Sequence, residues 1–224
     1  MAARFGHEVN NTLAAIVLRT ELLAEDVPPS GPARDSVTVI EKATNEGVAL
    51  VRRVRELARL SRPLVRRPVD WAHVLADALE AVRPRLVATP AVTIATDRVS
   101  LRRVSGDRGE LVQALRELLD NAIDAMEHGG AVRLTTGVEH GVLCCRVMDS
   151  GPGLVPTAAA RAFDPYFSTR ARGRGIGLTL ALTVAARHGG DVRLASIAGG
   201  GTSATLRVPC ADAGVAQARG PRSR

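Results

Sequence analysis

The chain has 224 residues, 46% of them hydrophobic, and a formal net charge of +7; this leaves room for one or two cored domains and excludes a chain too polar to fold. Aromatic residues make up only 2%, so the core must be Leu, Val, Ala and Ile, and nucleic-acid recognition by base stacking has few platforms. The charge is almost wholly arginine, Lys42 being the only lysine. It reads either as codon bias of a GC-rich genome or as attraction to an acidic partner, and no basic run has nucleic-acid spacing.

Residues 4–26 read as a helix. Val9, Leu13, Ile16, Leu23 and Val27 recur at near-heptad spacing, with Thr20 on the same stripe. Pro28-Pro29-Ser30-Gly31-Pro32 must break it. A second helix starts near Asp35-Ser36 and runs to about Ser61, with Val37, Ile40, Val51, Val54 and Ala58 as its stripe and Thr44 and Gly47 as weaker members. Two such helices joined by a short turn form a hairpin. A lone hairpin leaves apolar surface exposed, and burying it, at roughly 25 cal/mol per Å², favours a second copy and a homodimeric four-helix bundle.

Arg62-Pro63 to Arg67-Pro68 marks the boundary, giving residues 1–62 as a hairpin domain and 63–209 as a second domain. In the latter, Trp71 to Val82 reads as helix, Val92 to Thr96 and Leu101 to Val104 as strands, and Arg108 to Met126 as helix. Ala131 to Val138 and Val142 to Asp149 read as a strand pair about Glu139-His140-Gly141. The stretch 150–173 is rich in Gly and Pro and has the character of a lid. Leu178 to Arg187 is a helix, and Val192 to Ser196 with Thr202 to Val208 are closing strands about Gly199-Gly200-Gly201. Mixed strands and helices predict an α+β sandwich with helices on one sheet face. Residues 210–224, ending Arg219-Gly-Pro-Arg-Ser-Arg224, read as a disordered basic tail. The three cysteines, Cys144, Cys145 and Cys210, show neither metal spacing nor a disulfide framework. The longest apolar runs, such as Leu178 to Ala186, are too short to span a bilayer, and no signal peptide is visible. The expectation is a cytoplasmic chain.

Several groups of residues carry chemistry. Glu117 and Asn121 are four apart and share a helix face. Asn121 offers a carbonyl oxygen to a hydrated Mg²⁺, and Glu117 can hold a metal-bound water or act as a base; taken alone, the pair is also what a solvated polar face looks like. Asp149 ends an apolar strand just before Gly151 and Gly153. A carboxylate there can accept from the exocyclic amine of adenine while the glycines let the backbone turn and approach; Asp-Ser-Gly-Pro is equally a plain turn. Gly173, Gly175 and Gly177 alternate ahead of a helix, so backbone N–H groups can meet phosphates, with Arg170 supplying charge; a flexible surface loop has the same composition. His7 lies off the apolar stripe, with Glu8 beside it and Asn11 one turn on. Its imidazole, with an unperturbed pKa near 6.5, can attack phosphorus, Glu8 can take the proton, and Asn11 can orient a water. His73, His128, His140 and His188 lack such company.

In this order the motifs resemble those of one family. His7-Glu-Val-Asn-Asn-Thr-Leu-Ala-Ala-Ile16 resembles the phosphoacceptor H box of sensor histidine kinases, and Glu117 to Ala122 their N box. Asp149 to Gly153 resembles the G1 box, Phe163 to Arg170 the F box, Gly173 to Leu178 the G2 box, and Gly201-Thr202 the last glycine-threonine element. The resemblance implies a dimerisation and phosphotransfer hairpin followed by an ATP-binding domain of the gyrase/Hsp90/kinase/MutL (GHKL, Bergerat) type. It implies His7 as phosphoacceptor, Glu8 as its base, Asn121 on Mg²⁺, Asp149 on adenine, and Arg170 with the glycine loop on the phosphates. The Glu8/Asn11 pair matches members that also dephosphorylate their partner, a response-regulator receiver domain. Two positions depart from the pattern: Thr12 stands where many members have proline, and Glu117 where many have asparagine. No sensor or receiver segment is present, so the chain is expected to be a transmitter core served by a separate sensor protein, or a piece of something longer. The rivals are a GHKL ATPase that hydrolyses ATP for conformational work, against which His7 in its motif argues, and a non-catalytic phosphotransfer scaffold, which would need a degraded ATP site.

Overall fold

The computed structural model describes residues 2–28, 30–60, 62–89, 91–99, 102–126, 128–155, 161–164 and 177–211; for 2–11, 45–46, 49–50, 52–60 and 98 it describes the backbone alone. The chain divides into two compact units, Met1–Pro63 and Leu64–Arg224.

The first unit is two helices, α1 (Ala2–Asp26) and α2 (Pro32–Leu60). The second helix starts a turn earlier than the Asp35-Ser36 signal suggests. Pro32 has no N–H to satisfy and its φ already suits a first turn, and Gly31 before it takes φ +112. The apolar stripe of α1 is only partly used inside the hairpin. Thr20 and, on α2, Val37 and Thr44 are buried, while Ile16 and Leu23 remain 40% and 47% exposed and Ile40 43%. Both buried threonines donate to the carbonyl one turn back, Thr20 to Ile16 and Thr44 to Ile40 (each 2.7 Å), so polar atoms inside the seam are satisfied. A Cβ on Gly47 would sit 3.3 Å from Leu13 Cδ2, so the helices meet closely there.

The second unit opens with a strand absent from the sequence reading, β1 (Arg67–Asp70), followed by α3 (Trp71–Ala88) and β2 (Val92–Arg98). The next strand is β3 (Arg103–Gly106), two residues later than expected. It pairs antiparallel with β1 as a separate ribbon, Val69 opposite Val104. Then come α4 (Arg108–Asp124), β4 (Gly130–Glu139), β5 (Val142–Asp149), α5 (Gly177–Arg187), β6 (Asp191–Ser196) and β7 (Thr202–Pro209). The main sheet has order β2-β4-β5-β7-β6, parallel at β2–β4 and antiparallel elsewhere. Val132, Leu134 and Thr136 of β4 and Leu143, Cys145, Val147 and Asp149 of β5 are buried, while Arg133 and Arg146 between them are exposed. One face therefore carries the core with α3, α4 and α5, as period-two alternation demands.

Caps fix the helix starts. Asp70 accepts from Ala72 N (3.0 Å) and Asp107 from Glu110 N (2.9 Å), satisfying first-turn amides. Helix α3 runs past Val82, where the sequence reading ended it, and through Pro84. One lost amide donor is tolerated because the last turn is anchored: Arg85 donates to Asp120 (2.9 Å) and pairs with Asp124, both on α4.

His188, assigned no role from sequence, is a buried core histidine at 1% exposure. Asp107 N–H donates to its Nε2 (3.0 Å), so the proton sits on Nδ1, which donates to the Val184 carbonyl (2.8 Å). The ring reaches Asp107 only because residue 106 is glycine: a Cβ there would lie 2.1 Å from His188 Cδ2. Burial, the largest influence, holds this imidazole below its usual pKa. A folded-state pKa below the unfolded value means the unfolded chain binds more protons between the two. The neutral ring's contribution is then complete above about pH 6.5 and lost as pH falls through the folded pKa. The melting midpoint is expected to drop between pH 7.5 and 5.5, with a shallower drop in His188→Gln; equal slopes would assign the pH response elsewhere.

Candidate active site

The second unit gathers its buried acids in one region. Among the described residues the buried carboxylates are Glu117 and Asp149, each 8% exposed. Burying such groups is costly unless they are partnered, and buried acids concentrate at functional sites.

Asp149 is placed by strand alternation: it follows Leu143, Cys145 and Val147 on the core face of β5. Its Oδ1 accepts from Gly151 N (2.9 Å) and from Thr202 N (3.1 Å). Two backbone donors thus hold the carboxylate and fasten the turn after β5 to the start of β7. The glycines around it are steric requirements. A Cβ on Gly151 would meet the Ala125 carbonyl at the end of α4 at 2.9 Å. Gly153 has φ +84 and lies against Gly201. Gly201 has φ +94, and a Cβ there would lie 2.1 Å from the Asp149 carbonyl oxygen. Gly201→Ala is therefore expected to cost about 1–3 kcal/mol in backbone strain alone, roughly 2–12 °C in the melting midpoint. An unchanged thermal melt would mean the turn yields freely.

Glu117 and Asn121 do share a face of α4, but Glu117 is buried and the solvated-face alternative does not hold for it. Helix α5 covers this face, with Gly177 at its first position: a Cβ on Gly177 would lie 2.5 Å from Glu117 Oε2 and 3.6 Å from Asn121 Nδ2. At the other end of α5, Arg187 makes a paired contact with Glu110 (3.0 Å from both nitrogens). Helices α4 and α5 are therefore antiparallel, and the N-terminus of α5, the positive end of its dipole, sits at Glu117 and Asn121. Gly151 against Ala125, one turn past Asn121, joins this cluster to Asp149.

The structure thus brings together Glu117, Asn121, Asp149, Gly151, Gly153, Gly177 and Thr202. Arg170, Gly173 and Gly175 lie outside the described residues, as do residues 165–169 of the proposed F box and the 212–224 tail. The part of the lid segment that is described is anchored: Thr179 Oγ1, in the first turn of α5, donates to the Phe163 carbonyl (2.9 Å). His7, Glu8 and Asn11 lie on α1, in the other unit, within the stretch described by backbone alone. One residue the sequence reading missed is Gln113, whose Nε2 donates to Glu117 Oε1 (2.7 Å). Its signal was available: 113, 117 and 121 repeat every four residues.

Among the described residues no cluster of three or more His, Cys, Asp or Glu could hold a metal alone. Asn121 beside Glu117 offers oxygen atoms on one helix face, and this fits Mg²⁺, which takes one or two side-chain oxygens and the rest from water and phosphate. A cavity of about 830 Å³ lined by Arg67, His73, Arg103 and Gly109, among others, lies at the opposite end of α4 and contains none of the predicted site residues. The described helices include none long and apolar enough to cross a membrane.

Residues 106–212 match the family described as histidine kinase-, DNA gyrase B-, and HSP90-like ATPase. Over 211 residues the chain is 31% identical to the sensor histidine kinase ZraS of Escherichia coli K12, covering 93% of this chain and 45% of ZraS. It is 31% identical over 211 residues to the sensory histidine kinase/phosphatase NtrB of Azospirillum brasilense, covering 88% and 52%. The chain therefore spans about half the length of these relatives. Full-length ShkA, crystallised with AMPPNP, superposes with a TM-score of 0.69 at 28% identity, over 93% of this chain and 45% of that one. The mycobacterial sensor histidine kinase MprB matches with a TM-score of 0.59 at 28% identity, over 65% and 98%. A helical hairpin, a sheet domain with two buried acids in its motifs that matches the histidine kinase-, DNA gyrase B-, and HSP90-like ATPase family over residues 106–212, and likenesses over 65% to 93% of the chain lead to one conclusion: the chain is similar to the transmitter core of sensor histidine kinases.

Proposed function

We propose that this chain is an ATP-dependent protein-histidine kinase that phosphorylates itself on His7 and passes the phosphoryl group to an aspartate of a response-regulator receiver domain. The observation that carries the reading is the Asp149–Gly151–Thr202 clasp beside Glu117, Asn121 and the N-terminus of α5. Asp149 accepts from the exocyclic amine of adenine. Gly151 and Gly153 let the base approach, while Arg170, Gly173, Gly175 and Gly177 receive the phosphates. Asn121 would hold Mg²⁺ through its side-chain oxygen, and Glu117 would orient a water beside it. A magnesium ion held there would supply positive charge to offset that of the phosphate oxygens. An imidazole nitrogen of His7 attacks the γ-phosphorus, the bond to the bridging oxygen of ADP breaks, and Glu8 takes the imidazole proton. Phosphohistidine then gives its phosphoryl group to the receiver carboxylate.

Residues 1–62 serve as the dimerisation and phosphotransfer domain and 63–209 as the catalytic domain. Ile16, Leu23 and Ile40, exposed in the single hairpin, supply the seam of a homodimeric four-helix bundle. Light scattering at micromolar concentration is expected to give twice the chain mass; a monomer would remove the bundle. A separate sensor or a longer chain delivers the stimulus, and the site of action is the cytoplasm. Asn11, one turn from His7, orients a water against the receiver's aspartyl phosphate, giving a phosphatase activity beside the kinase.

The deciding experiment is incubation with labelled ATP. Acid-labile, base-stable phosphate that drains onto a receiver domain is expected. Phosphate release with no phosphoprotein would favour an ATPase, and neither would favour a scaffold.

A further inference from the structure

We propose that Gln113 is a positioning residue of the phosphoryl-transfer site, holding the Glu117 carboxylate at the N-terminus of α5. The inference rests on the reading of Glu117 as part of that site. Helix α4 turns a polar line toward α5: Glu110 meets Arg187 at one end of α5, Glu117 and Asn121 meet Gly177 at the other, and Gln113 lies between. The two matched ends are spaced alike, since eleven residues of α4 and ten of α5 each span about 15–17 Å. Gln113 therefore sits under α5 one turn below Glu117, and its amide N–H is 2.7 Å from Oε1.

Glu117 has little freedom left. Its Oε2 lies so close to the Gly177 Cα that a methyl group there would fall 2.5 Å away, and the side chain is 8% exposed. A buried carboxylate with one oxygen fixed by an amide donor and the other against a helix N-terminus points in one direction. Glutamine suits the task. Its neutral amide donates without placing a further positive charge beside the phosphates, and it reaches one turn along a helix. Without it the carboxylate keeps its charge but loses a contact that fixes Oε1, and a displacement of about 1 Å at such a site can cost roughly a hundredfold in rate.

The test uses the full chain and compares Gln113→Met, close in length and a good helix former, with Glu117→Gln and the double variant. Gln113→Met is expected to lower the rate constant of phosphoprotein formation about 10- to 100-fold, with the KM for ATP and the affinity for ADP within twofold of wild type. In the Glu117→Gln background the same change should cost nothing further, because the group it positions has already lost its charge. Gln113→Glu, equal in size but facing Glu117 with a like charge, should be impaired at least as much. Wild-type rates for both Gln113 variants beside an impaired Glu117→Gln would overturn the inference alone. So would losses that multiply in the double variant, the mark of a merely structural residue. A wild-type rate for Glu117→Gln would instead overturn the reading of Glu117 beneath it.

Discussion

Incubated with ATP, the His7→Gln chain is expected to take up no acid-labile phosphate, a loss on the order of a thousandfold or more, as follows removal of a nucleophile that acts within a unit. Its affinity for ATP should stay within a few-fold of wild type. The separation of effects follows from the architecture: His7 is on α1 in the first unit, whereas Asp149, Glu117, Asn121 and Gly177 all belong to the second. No other histidine stands in a His-Glu-x-x-Asn arrangement. His188 is buried with both ring nitrogens engaged and burial holds it in its neutral form. His73, His128 and His140 are exposed; Val74, Gly129 and Gly141 follow them, so none has the His-Glu order of His7-Glu8, although Glu127 precedes His128 and Glu139 precedes His140. Phosphoamino-acid stability in acid and base, measured on both proteins, checks this. Undiminished labelling of His7→Gln would move the acceptor elsewhere.

Asp149→Asn should weaken adenine-nucleotide binding roughly 10- to 150-fold, the value of about 1.5–3 kcal/mol for a hydrogen bond to a charged group. The substitution is informative because it leaves the scaffold's hydrogen bonds possible. The asparagine carbonyl can still accept from Gly151 N and Thr202 N, the two donors held by Oδ1. What changes is the second oxygen, replaced by an NH₂ that opposes another amine. The melting midpoint of the free protein should therefore move less than in Gly201→Ala, where the fault lies in the backbone. A fluorescent-nucleotide titration gives the affinity, and one that matches wild type would remove Asp149 from the site.

Much of this protein was legible in the chain because its signals are local. The four-residue spacing of Glu117 and Asn121, the alternation that ends at Asp149, the proline cluster at 28–32 and the glycines of 151, 153 and 201 each depend on backbone geometry over a few residues, and period and turn chemistry are set there. The missed elements lack such signals. Strand β1 is four residues including Pro68, a pattern that argues against a strand; only pairing with β3, thirty-odd residues away, makes it one. Helix α3 outruns Val82 because Arg85 finds Asp120 and Asp124 on α4, contacts with no trace in its own sequence.

The sequence by itself determined the order of the motifs, offered residue types suited to adenine, phosphate and a metal, and marked a change of composition and periodicity near Pro63. Tertiary structure decided which of those residues are buried and what they touch. It placed Glu117 inside rather than on a wet face, by laying α5 antiparallel over α4 with Gly177 at the carboxylate. It tied Asp149 to Thr202, fifty-three positions on, and made His188 a core residue through a glycine that leaves space for its ring. Those contacts join residues far apart along the chain, and burial of a polar group is decided by what packs over it, a sum over neighbours that no local spacing contains.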